Sequence, residues 1–141
     1  MGMNLTVKSR QFALSENQEW LGSRHGTQEA DSITLDRALC VAAFPTGFVP
    51  SGIPLGKVTA TGRYAPALSA AVDGSQVVDG HLFTSVDFNH PDVARVDLTT
   101  APNSPAALLW HGEVVLAKMP ALAGQVALAT PANQPKMIRY V

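Results

Sequence analysis

Apolar and polar positions alternate along this chain in short runs, and nowhere do they hold a helical spacing for long. Near the start, Leu5 and Val7 share one face of an extended segment, with Phe12, Leu14 and Trp20 spaced beyond. Ser15–Gln18 (SENQ) has the form of a capping box for one helical turn, with Ser15 at the cap and Gln18 reaching back. The glycines of LGSRHGT then end any regular element, so residues 1–24 read as an extended N-terminal arm with apolar anchors. Ile33 and Leu35 alternate as in a strand, while Asp36 followed by RALCVAAF fits either more strand or the start of a short helix.

The stretch from 50 to 88 reads as sheet. IPLGKVTATGRY is rich in Val and Thr and punctuated by Pro54, Gly56 and Gly62, which predicts a strand pair or a bent strand. Asp73-Gly74 and Asp79-Gly80 are turn signals, and HLFTSVDF predicts a strand with Leu82, Val86 and Phe88 on one face. After a proline-bounded loop from 89 to about 107, ALLWHGEVVLAKMP places Leu108, Trp110, Val114 and Leu116 on one side, with a turn or bulge at Gly112. There is no internal repeat. The pattern predicts a mainly β, small single domain over 25–120, an N-terminal arm over 1–24 and a peripheral Ala- and Pro-rich tail over 121–141.

Composition narrows the function. Charged residues make up 15% of the chain, against about 25% in an ordinary domain, and 46% of residues are hydrophobic. A surface this poor in charge suits a protein packed against others, or simply an Ala-rich domain. The net charge is −1 and no run of Lys or Arg occurs, so nucleic acid is not an expected partner. Cys40 is the single cysteine, which rules out an intrachain disulfide, and its apolar neighbours mark it as a buried hydrophobe. No window is long and apolar enough for a signal peptide or a membrane span. Gly2 and Thr6 match the short acylation pattern, which we read as accidental.

Candidate chemistry is thin. GIPLGK has three residues between its glycines instead of four, Val58 follows the lysine, and strand sequence stands where a phosphate-binding helix would begin. Lys57 is accordingly read as a solvated sheet residue. His25, His81, His90 and His111 lack the spacing of a helical metal pair, and His81 and His111 read as satisfied, half-buried side chains. DFNHPD lacks the glycine and distal glutamate of a calcium loop. Ser51 and Ser75 lie in turns outside any nucleophile-elbow pattern. No catalytic set and no cofactor site emerge.

The block PSGIPLGKVTATGRYAPALSAAVDGSQVVDGHLFTSVDF (50–88) resembles the head decoration proteins of tailed bacteriophages, the lambda-type family and its actinobacteriophage relatives. The likeness is one of order: a Pro-Gly turn, a first strand (IPLGKVTAT), then GRY, an Asp-Gly loop and a strand like HLFTSV. WLGSRHGTQEADSITLD resembles the family's linker from arm to core, and ALLWHGEVVLAKMP its closing hairpin. The resemblance implies a β-tulip or β-clip-like core, assembled as a homotrimer on the outer surface of the icosahedral capsid. It implies a non-enzymatic protein without cofactor, whose partners are the major capsid protein and its own copies, with no nucleic acid and no membrane. On this reading Leu5, Val7, Phe12 and Trp20 bind the capsid, while Ile53, Leu55, Tyr64, Leu82, Phe83 and Trp110 pack the core and the trimer.

Burying four such anchors contributes about 2–3 kcal/mol each, while ordering an arm of about ten residues costs roughly 10–20 kcal/mol. One arm would therefore bind weakly, and three on one trimer would act through avidity. Two alternatives differ in kind. GRYAPALSAAVDG has a passing likeness to trimeric dUTP-hydrolysing enzymes, but their Ser-rich phosphate motif and glycine-rich closing arm have no counterpart here. A virion-surface binding module for carbohydrate or protein is the other.

Overall fold

The computed structural model describes residues 16–88 and 103–141. The chain is mainly β and forms one small domain around a closed five-stranded barrel. β1 (Asp31–Leu35) runs into α1 (Arg37–Ala43), followed by β2 (Phe48–Val49), β3 (Pro54–Lys57), β4 (Tyr64–Pro66), β5 (Val78–Leu82) and β6 (Val86–Asp87). β7 (Ser104–Leu109), β8 (Gly112–Val114) and β9 (Ile138–Tyr140) complete the strands. The barrel order is β1-β4-β3-β5-β7, closed by a five-residue antiparallel ladder between β1 and β7, from Asp31↔Leu108 to Leu35↔Ser104. Only the β1–β4 contact, Leu35↔Tyr64, is parallel within the barrel.

Period-two alternation explains β1. Ile33 and Leu35 point inward while Ser32 and Thr34 face solvent. The ambiguity after Leu35 resolves as a helix because Asp36 caps it, its Oδ1 accepting from the Leu39 amide at 3.1 Å. Phe44 ends the helix ahead of Pro45, and only Cys40 on α1 is buried. Gly56 sits where β3 meets β5 at a register shift, and a Cβ there would lie 2.0 Å from the Ser75 carbonyl oxygen. The glycine is required by close backbone approach. Asp73-Gly74 is a turn as expected. Gly74 has φ +103°, and Asp73 Oδ1 accepts from the Ser75 amide and hydroxyl at 3.0 and 2.6 Å. These bonds hold the Asp73 carboxyl below its usual range.

Four expectations need correcting. Asp79-Gly80 is no turn, since both residues lie inside β5, and a Cβ on Gly80 would come within 2.4 Å of the Leu109 carbonyl. HLFTSVDF is not one strand, because the chain leaves the barrel after Leu82 and Val86–Asp87 pairs with β2 instead. ALLWHGEVVLAKMP does not close as a hairpin: β7 stays in the barrel, and after Gly112 (φ +142°) β8 departs to pair in parallel with β9. Gln18 does not reach back to cap a helix; its Nε2 donates to the Phe83 carbonyl at 2.9 Å, and Ser15 lies outside the described residues.

The domain limits also shift. The tail is no peripheral appendage, for Val126, Leu128 and Ile138 are buried and β9 belongs to a sheet. Val126 and Leu128 join Ala67 and Val78 in one apolar cluster, tied by the Leu68↔Gln125 bridge. Residues 16–24 likewise belong to the body: Leu21 bridges Val114, and Trp20 lies in a cluster with Leu109, Val114 and Ile138. The barrel interior holds the largest cluster, including Ile33, Leu35, Ile53, Leu55, Leu82 and Leu108.

Candidate functional site

The most connected set of polar side chains in the described residues lies between the barrel wall and the β8–β9 sheet. β5 carries His81 toward β9 with no solvent exposure, and its Nδ1 lies 2.8 Å from the Gly52 carbonyl oxygen. A carbonyl only accepts, so Nδ1 bears the proton. Nε2 is then an acceptor, and it takes a bond from the Tyr140 hydroxyl at 2.7 Å. Trp20 stacks on the imidazole with centroids 5.8 Å apart, and its Nε1 donates to Ser51 Oγ at 3.0 Å. Ser51 Oγ in turn donates to the Phe83 carbonyl at 2.7 Å. Burial lowers the His81 pKa to about 4, keeping the ring neutral at ordinary pH, and burial also raises that of Tyr140.

This geometry decides the chemistry. A serine nucleophile needs its proton aimed at a base. The Ser51 proton goes to a carbonyl, and the free lone pair of His81 faces Tyr140 rather than Ser51. The group is a structural clasp joining three parts of the chain: the entry segment through Trp20, the barrel through Ser51 and His81, and the C-terminal strand through Tyr140. Gly52 completes it, since a Cβ there, at φ +99°, would press 2.6 Å from the Trp20 ring.

A second cluster gathers at the β7–β8 corner. His111 Nε2 lies 3.3 Å from Glu29 Oε2, its ring lies 4.1 Å from that of Trp110 and 5.1 Å from that of His25, and Trp110 Nε1 donates to the Glu29 carbonyl at 2.7 Å. His111 is buried rather than half-buried, and its Nδ1 has no hydrogen-bond partner among the described residues, so the expected satisfied histidine is not found. No group of three His, Cys, Asp or Glu among the described residues is arranged to hold a metal ion. Cys40 is fully buried, and burial, helped by the nearby Asp36 carboxylate, pushes its thiol up to about 12. It remains a neutral thiol.

A cleft of about 380 Å³ opens where the entry segment meets β2, walled by Phe48, Pro50, Met119 and Pro120 over the edge of Trp20. Glu16 stands at this cleft and accepts from the Ser85 amide. Phe48 is 43% exposed, more than any other Phe, Tyr or Trp among the described residues.

The residues singled out from sequence fall into three groups. Leu5, Val7 and Phe12 lie outside the described residues. Trp20, expected as a capsid anchor, is 1% exposed within the chain's own core, which removes it from that role. Ile53, Leu55 and Leu82 are fully buried in the barrel, with Tyr64 and Trp110 packed against the same cluster and Phe83 against that of Trp20. Sequence reasoning missed Ser51 and Tyr140 as partners of Trp20 and His81. The one signal for Tyr140 was its alternation with Ile138 at the chain end. Comparison with protein-family models, with curated proteins and with solved structures finds no match to this chain.

Proposed function

We propose that this chain is a non-enzymatic decoration protein of a bacteriophage head, binding the outside of the expanded shell as a homotrimer. The reading rests on the resemblance of residues 50–88, and one structural observation supports it most: the clasp at Trp20. The block that carries the resemblance contains the consecutive strands β3, β4 and β5 of one barrel. Trp20, locked by Ser51 and stacked on His81, ties the segment that begins at Glu16 to that barrel. An arm that clamps a shell needs such a rigid root, because slack there would add to the ordering cost of binding.

With Trp20 assigned to the root, Leu5, Val7 and Phe12 remain as the shell-binding anchors. Three anchors at about 2–3 kcal/mol each make the single arm weaker still, so trimer avidity carries more of the affinity. Two features of the surface suit close packing against other subunits. Residues 119–135 contain no charged side chain. Val72 and Val77, in the loop before β5, are 93% and 67% exposed.

Co-sedimentation with expanded, undecorated shells tests the proposal, with mass measurement of the free protein alongside. Saturable binding in multiples of three supports it, and no binding at micromolar protein overturns it. The cleft beside Phe48 favours a second reading, a virion-surface module for carbohydrate or protein. Glycan-array binding lost in Phe48→Ala would select that reading.

A further inference from the structure

We propose that His81 and Tyr140 form a proton-operated latch, in which uptake of one proton at His81 Nε2 releases the C-terminal strand β9 while the barrel stays closed. This goes beyond the decoration reading and does not depend on it.

Both ring nitrogens of His81 are committed, one donating to the Gly52 carbonyl and one accepting from Tyr140. A proton on Nε2 turns the acceptor into a donor, so the Tyr140 hydroxyl hydrogen loses its partner. The proton also places a charge at a site with no solvent exposure. The groups around the imidazole do not neutralise it. Ser51 and Gly52 are uncharged. Asp79, two residues back on β5, spends Oδ2 on the Tyr64 hydroxyl at 2.9 Å and is exposed. On the sheet opposite, Arg139 alternates away from Tyr140 and lies 3.9 Å from Glu113. Glu19, next to Trp20, pairs with Lys118 at 4.0 Å on the surface. The stacked Trp20 ring favours a cation modestly, yet desolvation outweighs it, as the depressed pKa of about 4 records.

Relief comes from moving the weakest wall, and that wall is β9. It is a three-residue strand outside the barrel and, among the described residues, paired only with β8. Few backbone bonds flank it: Val141 N–H to the Val114 carbonyl, Leu116 N–H to Val141, and Gly112 N–H to Met137. Short elements outside the main sheet, with few backbone bonds, open at far lower cost than the global fold. His81, by contrast, is held in β5 between β3 and β7. Once β9 departs, water reaches the imidazole, its pKa returns toward 6.5, and opening is coupled to one proton.

The opening constant should therefore rise with a slope that approaches tenfold per pH unit once the pH is well below 6.5, or roughly forty-fold between pH 6.5 and 4.5. Amide exchange followed by NMR, as protection factors at several pH values, measures this on the full chain. The Val141, Leu116 and Gly112 amides should lose protection with that slope while those of the β1–β7 ladder keep theirs. Equal loss in both sets, or no pH dependence at β9, overturns the latch. His81→Asn removes the titrating group, so the β9 slope should vanish; a slope like that of the parent also overturns it. Should that variant not fold, ¹⁵N shifts of the parent protein decide. A proton on His81 Nδ1 at pH 7 is required, and a proton on Nε2 contradicts the proposal.

Discussion

The Tyr140 hydroxyl lies 2.7 Å from His81 Nε2, and this bond joins the C-terminal strand to the barrel across 59 residues of sequence. Tyr140→Phe removes the donor and leaves the buried Nε2 lone pair unsatisfied. We expect a loss of about 1–3 kcal/mol, read as a lower midpoint in urea with an unchanged slope. No change in midpoint would show that the bond is dispensable.

Trp20 should behave as a core residue. Trp20→Ala opens a cavity against Leu109, Val114 and Ile138 and removes the bond that Ser51 Oγ accepts, which predicts about 3–5 kcal/mol of destabilisation by calorimetry. A loss under about 1 kcal/mol would return Trp20 to the surface, where such changes are small.

Acid should weaken the fold through His81. Its folded pKa, about 4, lies below the unfolded 6.5, so the unfolded chain takes up the proton first. Stability is thus whole above pH 6.5 and falls between 6.5 and 4, by up to about 1.4 kcal/mol per pH unit. Asp73, also depressed, adds a loss in the same direction at lower pH. Denaturant melts at stepped pH check the sign. Stability rising from pH 6.5 to 4.5 would contradict it.

Gly56→Ala and Gly80→Ala each force a Cβ toward a backbone carbonyl, at 2.0 and 2.4 Å. Overpacking of this kind costs about 1–3 kcal/mol or more. Gly62→Ala meets no backbone, only the Lys57 side chain at 3.8 Å, and carries its penalty through φ +73° alone. It should cost less than either, and thermal melts of the three variants would expose any other order.

Three of the five barrel strands were legible in sequence, because β1 alternates strictly and β3–β4 is framed by Pro54, Gly56 and Gly62, whereas Val78–Leu82 was broken by an expected turn and β7 begins at Ser104, inside the stretch expected to be a loop. The rest was hidden for physical reasons. Trp20 finds Ser51 and His81 far along the chain, so nothing local distinguished a core anchor from an arm anchor. The tail's Ala and Pro content masked the short alternations Val126/Leu128 and Ile138/Tyr140 that bury it. Asp79-Gly80 carries turn chemistry, yet close approach to Leu109 is what its glycine serves. The clasp was invisible for the same reason as Trp20: its four members come from distant segments.

The decoration account is tested most directly by comparing shell occupancy of the full chain with that of a chain lacking residues 1–15. That cut spares Trp20 and so leaves the barrel's clasp intact, unlike a cut at residue 24. The account predicts saturable binding by the full chain and at least a tenfold weaker affinity after truncation, with unchanged thermal stability. Equal binding by both chains would contradict the arm, and binding by neither would contradict the decoration role.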